Sequence, residues 1–191
     1  MTQTTMYEEF KKTGAELLRE GLIHSNAGNM SVRKGDVIYI TGHGSCLGNI
    51  GCSDIVKVNL RDEKRDAPAS VEIKVHRAVY NYDDKIRAIV HAHPVYSIVL
   101  SFDYEKIVPV DVEGQFYIPE IPVLFSCAET IGSECVQEKL PELLARNRIA
   151  VVRGHGVFST GKTLDEAYAY ISVLECASQI IYLKEVLRRP K

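Results

Sequence analysis

Residues 86–93, IRAIVHAH, are a short apolar run that ends against Pro94. Its length, its aliphatic content and the closing proline predict a buried strand. The run also carries two imidazoles. In an extended strand, residues i and i+2 point to the same face, so His91 and His93 aim into one small volume. Two neutral imidazoles directed at one point suggest a metal ion.

The patterns on either side of this run alternate between helix and strand. Tyr7, Phe10, Leu17 and Leu18 recur on a helical period within residues 4–20, and Gly21 stands where a helix C-cap belongs. SVRKGDVIYIT reads as two strands around a Lys34-Gly35-Asp36 turn, followed by the glycine-rich loop TGHGSCLGNIG and by DIVKVNL as another strand. From Ser70, taken as N-cap, Val75, Ala78, Val79 and Tyr82 predict a helix. EKIVPVDV reads as a strand, and 128–147 as a helical region that Pro141 starts or interrupts. IAVVRGHG is expected to be the last strand, and Thr163 with Glu166 makes a capping box for a long C-terminal helix. The sum predicts an α/β fold, a mixed sheet with covering helices, formed by residues 1–191 as one domain.

Composition narrows the function. At 191 residues and 46% hydrophobic content the chain can bury a sizeable core. A formal charge of -2 with scattered Lys and Arg gives no reason to expect a nucleic-acid partner. No segment approaches the ~20 apolar residues that span a bilayer, and the polar, acidic start MTQTTMYEEFKK is unlike a signal peptide. The five cysteines, Cys46, Cys52, Cys127, Cys135 and Cys176, are odd in number and lack C-x-x-C spacing. They read as reduced thiols of a cytoplasmic protein, with Cys127 and Cys135 as small buried hydrophobes and none as zinc ligands.

Catalytic zinc commonly has three protein ligands and an open position. His155 supplies a third candidate: it follows an apolar strand in VVRGHGVFS, between two glycines that permit a tight turn. Spacing alone leaves two readings open, a ligand trio or three ordinary polar residues at strand ends and in a loop.

Five blocks occur in order along nearly the whole chain: GLIHSNAGNMSVR, VIYITGHGS, ASVEIKVHRAVY, AIVHAHPVYS and VVRGHGVFSTGKTLDEAYAYISVLE. Together they resemble the class II aldolase/adducin family, particularly its fuculose-phosphate aldolase branch. The resemblance implies a three-layer α/β/α fold with a central mixed, largely antiparallel sheet, and a homotetramer with active sites at subunit interfaces. It makes His91, His93 and His155 ligands of one Zn²⁺ per subunit. Glu72 falls at the place of the acid/base, which can also ligate the ion in the empty site. His76, one turn further, is expected to be a core histidine with a hydrogen-bond partner.

The same resemblance makes Asn26, Gly28, Asn29, His43, Gly44 and Ser70 a substrate-binding anion cradle, in which backbone amides of glycine-rich turns suit a phosphate. Asn26, His43 and Val71 stand where aldolases of the family usually carry hydroxyl side chains, and Lys74 or Arg33 could add charge there. Glu113 stands at the position of a tyrosine proton donor contributed by the neighbouring subunit, with Tyr117 close by. A C-terminal tail that closes the site in longer relatives is expected to be missing. The expected activity is reversible cleavage of a short ketose phosphate, fuculose-1-phosphate-like, to dihydroxyacetone phosphate and an aldehyde. The alternatives are an epimerase, a decarboxylase or a non-catalytic adducin-like interaction domain.

Overall fold

The computed structural model describes residues 3–64, 66–125, 127 and 131–188. Eight strands form one sheet in the order β3-β2-β1-β4-β8-β7-β6-β5. They are β1 (Asn29–Lys34), β2 (Val37–Thr41), β3 (Ile55–Asn59), β4 (Ala88–Ala92), β5 (Lys106–Ile107), β6 (Ile121–Leu124), β7 (Ile149–Val152) and β8 (Gly156–Gly161). All neighbours run antiparallel except β6 and β7. The expected mixed, largely antiparallel sheet is therefore present.

Alternation along the strands divides the core in two. Ala88, Val90 and Ala92 of β4 join a cluster with Phe10 and Leu17 of α1 (Gln3–Arg19) and with Leu164, Ile171 and Leu174 of α6 (Leu164–Arg188). Ile89 faces the other way, into a cluster with Ile73 and Val79 of α2 (Ile73–Tyr82) and with Val136 and Leu140 of α5 (Glu134–Asn147). Every residue of β4 is buried because helices cover both faces. His91 shares the parity of Ile89, so it projects toward α2.

The expected helix boundaries hold at several points. Gly21, at φ +68°, ends α1 in the left-handed region, and the Leu22 amide donates back to the Leu17 carbonyl at 2.9 Å. Thr163 Oγ1 accepts the Glu166 amide at 3.1 Å and opens α6. The helical region expected over 128–147 is corrected: α5 covers Glu134–Asn147 and runs through Pro141, which neither starts nor interrupts it, while 128–130 lie outside the described residues.

Other expectations are corrected. EKIVPVDV contributes only the two-residue β5; beyond Pro109, Asp111 caps the short helix α4 (Val112–Tyr117) by accepting the Gly114 amide at 2.7 Å. Strands β6 and β8 and the short helix α3 (Val95–Leu100) add to the elements expected from the sequence. β8 follows IAVVRGHG, because the glycine turn returns the chain antiparallel onto β7. Cys127 and Cys135 are not free thiols but a disulfide, since the exit of β6 and the first turn of α5 bring their Cα atoms to 5.6 Å. Cys46, Cys52 and Cys176 are free.

Candidate metal centre

The centre is built from strand ends on the α2 side of the sheet. His91, 1% exposed, pairs across the sheet with Asn29 of β1 and Phe158 of β8. Its Nδ1 donates to the Val157 carbonyl at 3.0 Å, which leaves the lone pair on Nε2. His93 lies just beyond the strand, and its Nε2 is 3.0 Å from that of His91. His155 arrives from the tight turn between β7 and β8. The turn must hug β4: a Cβ on Gly156 would lie 2.5 Å from the Ala92 carbonyl oxygen and 2.9 Å from the His91 ring. One ligand atom from each of the three imidazoles lies within 4.8 Å of the others.

Burial first, and then the mutual repulsion of their charges, hold His91 well below the usual imidazole range. Burial also lowers His93, to which nearby His24 adds repulsion, and it brings His155 down to about 4, helped by His93. All three rings are thus neutral near pH 7. With the lone pair of His91 on Nε2, the 3.0 Å approach of His93 Nε2 is the distance of an N–H···N hydrogen bond in the metal-free chain, and it brings both nitrogens to the point that a shared cation would occupy. Tetrahedral zinc with N–Zn distances of about 2.0–2.1 Å separates its nitrogens by roughly 3.3 Å. The donor set therefore fits a divalent ion.

Glu72 borders this trio. It occupies the N-cap position of α2, two residues beyond the Ser70 expected there, and its side chain caps nothing because it turns to Asn29 and His91, while Ser70 Oγ accepts the Glu72 amide at 3.3 Å. The carboxylate is 3% exposed, with Oε2 at 3.2 Å from His91 Nε2 and accepting from Asn29 Nδ2 at 2.8 Å. Oε1 is buried, with no donor at full hydrogen-bond geometry among the described residues. Burial pushes the carboxyl up to about 7, against smaller downward pulls from Asn29 and the Gly132 amide.

The structure brings part of the expected cradle to this point. Asn29 touches Glu72 directly, Gly28 packs so close that a Cβ would lie 2.7 Å from the His91 carbonyl oxygen, and Ser70 holds the Glu72 backbone. The 42–45 turn is tied to the same segment, since the His43 amide donates to Pro68 at 3.1 Å and Gly42 bridges Ala69. Asn26, His43 and Gly44 are exposed on their turns, and Lys74 is exposed on α2. Arg33 is excluded from the cradle: it donates to Gly35 and Tyr80 carbonyls at the far end of β1. His76 is the expected core histidine, hydrogen-bonded to Ser31 Oγ at 2.7 Å and lowered by burial to about 3.

Glu113 and Tyr117 do not meet the histidines within one chain. They are exposed on α4 and line a groove with Glu166, Tyr170 and Val173 of α6. His24 is a neighbour of the centre that the sequence does not reveal. Its nearness to His93 depends on a backbone bond, His93 amide to Leu22 carbonyl at 2.8 Å, which no local pattern announces.

This sheet, with imidazoles and a carboxylate gathered at one set of strand ends, is that of a known group: the chain belongs to the class II aldolase and adducin N-terminal domain family, whose profile matches residues 8–182. Among individual relatives, it is 29% identical over 187 residues to the L-fuculose phosphate aldolase of Methanococcus maripaludis, covering 94% of this chain and 98% of that one. It is 30% identical over 183 residues to the 3-oxo-tetronate 4-phosphate decarboxylase of Pectobacterium atrosepticum, covering 92% and 83%. The crystal structure of L-fuculose-1-phosphate aldolase from Thermus thermophilus superimposes with a TM-score of 0.93 at 34% identity, covering 98% of this chain and 99% of that one. Among the described residues, no helix is long and apolar enough to cross a membrane.

Proposed function

We propose that the protein is a cytoplasmic, zinc-dependent aldolase, acting as one domain per subunit of a homotetramer. It would reversibly cleave a short ketose phosphate of the fuculose-1-phosphate type to dihydroxyacetone phosphate and an aldehyde. The observation that carries this reading is the buried Glu72 carboxyl 3.2 Å from His91 in a cluster of three neutral imidazoles. His91, His93 and His155 would hold one Zn²⁺, which when bound supplies Lewis-acid polarisation of a carbonyl and stabilises negative charge on the adjacent oxygens.

The chain's own groups supply the rest. Breaking the carbon–carbon bond leaves its electron pair on the ketose fragment as an enediolate, and Glu72 delivers a proton to that carbon; in the synthetic direction it removes the same proton. A carboxyl raised to about 7 can both hold and release a proton near neutral pH. Asn29 holds Oε2, the oxygen beside His91 Nε2, and so fixes which way the carboxyl faces. The turns around Gly28, Gly44 and Ser70 would offer amides to the phosphate, with Asn26 and His43 lining it. Glu113 or Tyr117 of a neighbouring subunit would take the proton from the hydroxyl that becomes the aldehyde.

A second reading, decarboxylation of a keto acid phosphate through the same enediolate, is favoured by the similarity to the 3-oxo-tetronate 4-phosphate decarboxylase. One experiment separates them: zinc content of protein purified without chelator, then turnover of ketose 1-phosphates, the matching unphosphorylated ketoses and keto acid phosphates, each with and without zinc. Near one zinc per subunit and aldehyde release from a ketose 1-phosphate are expected. Carbon dioxide release without aldehyde selects the decarboxylase. Zinc near zero that added metal does not restore defeats both.

A further inference from the structure

We propose that Glu175 of α6 is a positioning residue for the metal centre, acting through the short helix α3 as a strut between two of the three imidazoles. The inference rests on the reading of His91, His93 and His155 as ligands. α3 begins directly after His93 and Pro94. Pro94 occupies its N-cap and has no side-chain acceptor to offer, so the leading amides need a partner from elsewhere. Glu175, far along the chain, supplies it. Oε1 accepts the Tyr96 amide at 2.8 Å, while Oε2 accepts the Ser97 amide at 2.9 Å and the Ser97 hydroxyl at 2.8 Å. Ser97 Oγ also lies 3.2 Å from Ser178 Oγ, both residues being fully buried.

Three bonds to the two oxygens of one side chain make a strong and directional clamp. His93 is held on its other side by the bond from its own amide to Leu22. Between the two anchors lies Pro94, whose ring fixes φ at -65°, so a shift of the first turn of α3 reaches His93 instead of being absorbed. The far end of the strut engages the turn that carries His155: Ser101 Oγ accepts the Gly154 amide at 2.9 Å. His91 is different, being held within β4 by strands on both sides. Glu175 therefore governs where two imidazoles stand relative to a third that the sheet fixes by itself.

The test measures Zn²⁺ affinity of the metal-free full chain by competition with a chromophoric chelator, the visible spectrum of the Co²⁺-loaded protein, and urea unfolding of the metal-free form. Glu175→Gln puts an amide donor against backbone donors. It is expected to weaken zinc binding by about 10- to 100-fold, the range for groups that orient ligands, and to alter the cobalt spectrum. Ser101→Ala should weaken zinc binding less. Thr163→Ala, which removes the cap of α6, serves as a control that lowers stability without touching α3, and should leave zinc affinity unchanged. Loss of stability in Glu175→Gln with unchanged zinc affinity and cobalt spectrum overturns the positioning role. If Glu175→Gln does not fold, unchanged affinity in Ser101→Ala overturns the strut. Wild-type protein that takes up no zinc defeats the metal-centre reading, and the strut with it.

Discussion

The strand-end centre and helix α4 carry the two halves of the proposed proton chemistry in opposite surroundings. Glu72 and His91 are 3% and 1% exposed, each held by hydrogen bonds within the chain. Around Glu113 and Tyr117, Val112 is 86% exposed, Phe116 78% and Tyr117 itself 54%. A buried carboxyl has its pKa and orientation set by its own chain, whereas acid and phenol groups beside exposed apolar side chains acquire such surroundings only from another surface. The first half is complete within one chain. The second, in the function proposed above, is completed by a neighbouring subunit.

The largest expected effect tests the buried half. Glu72→Gln should reduce turnover by about 10²–10⁴, the contribution of a general acid/base group, while zinc content stays near that of the wild type. Turnover that survives the substitution would move the proton transfer elsewhere and leave the buried carboxyl without a catalytic role.

Next in size is the covalent clip behind that carboxyl. The Cys127–Cys135 disulfide spans eight residues of chain that include Gly132, at which a Cβ would approach the Val71 carbonyl oxygen to 3.2 Å, one residue before Glu72. Closing so short a loop restricts the unfolded chain by about 2.5 kcal/mol. Reduction with a dithiol should therefore lower the urea midpoint, and thiol titration of the unfolded chain should rise from Cys46, Cys52 and Cys176 alone to all five cysteines. Five reactive thiols before any reductant is added would show that the clip is not formed.

The smallest stability effect belongs to α4. Glu113→Gln and Tyr117→Phe lie on the surface of one subunit, and each should change unfolding free energy by less than about 0.5 kcal/mol and leave zinc content alone. Both should nevertheless reduce turnover. Mixed oligomers of Glu72→Gln and Glu113→Gln subunits should recover part of it through hybrid sites. Failure to recover in verified hybrids would break the contrast between a self-contained half and a shared one, and so would loss of zinc in either α4 variant.

The two regions also differ in how much of them is legible in the sequence. The paired histidines at the end of β4 are readable because strand parity and a terminal proline act over a few residues. His155 is readable because it sits between two glycines after an apolar strand. Strand β8 is not, since GVFSTG shows its character only when β4 and β7 supply partners on both sides. The strand expected over EKIVPVDV gives way to α4 because Asp111 finds the Gly114 amide, a local competition that alternation does not weigh.

Sequence by itself determined the layered α/β class through short-range periodicity, and it singled out the trio of imidazoles and the candidate carboxylate through the ordered blocks that carry the family resemblance. Tertiary structure alone decided that Asn29 restrains Glu72, that Glu175 clamps α3, that Cys127 reaches Cys135 and that Arg33 stays away from the cradle. Three of these contacts cross dozens of residues of chain, and the disulfide depends on where β6 and α5 are packed. In every case the partner is chosen by the register and packing of a sheet that forms only when the whole chain has folded.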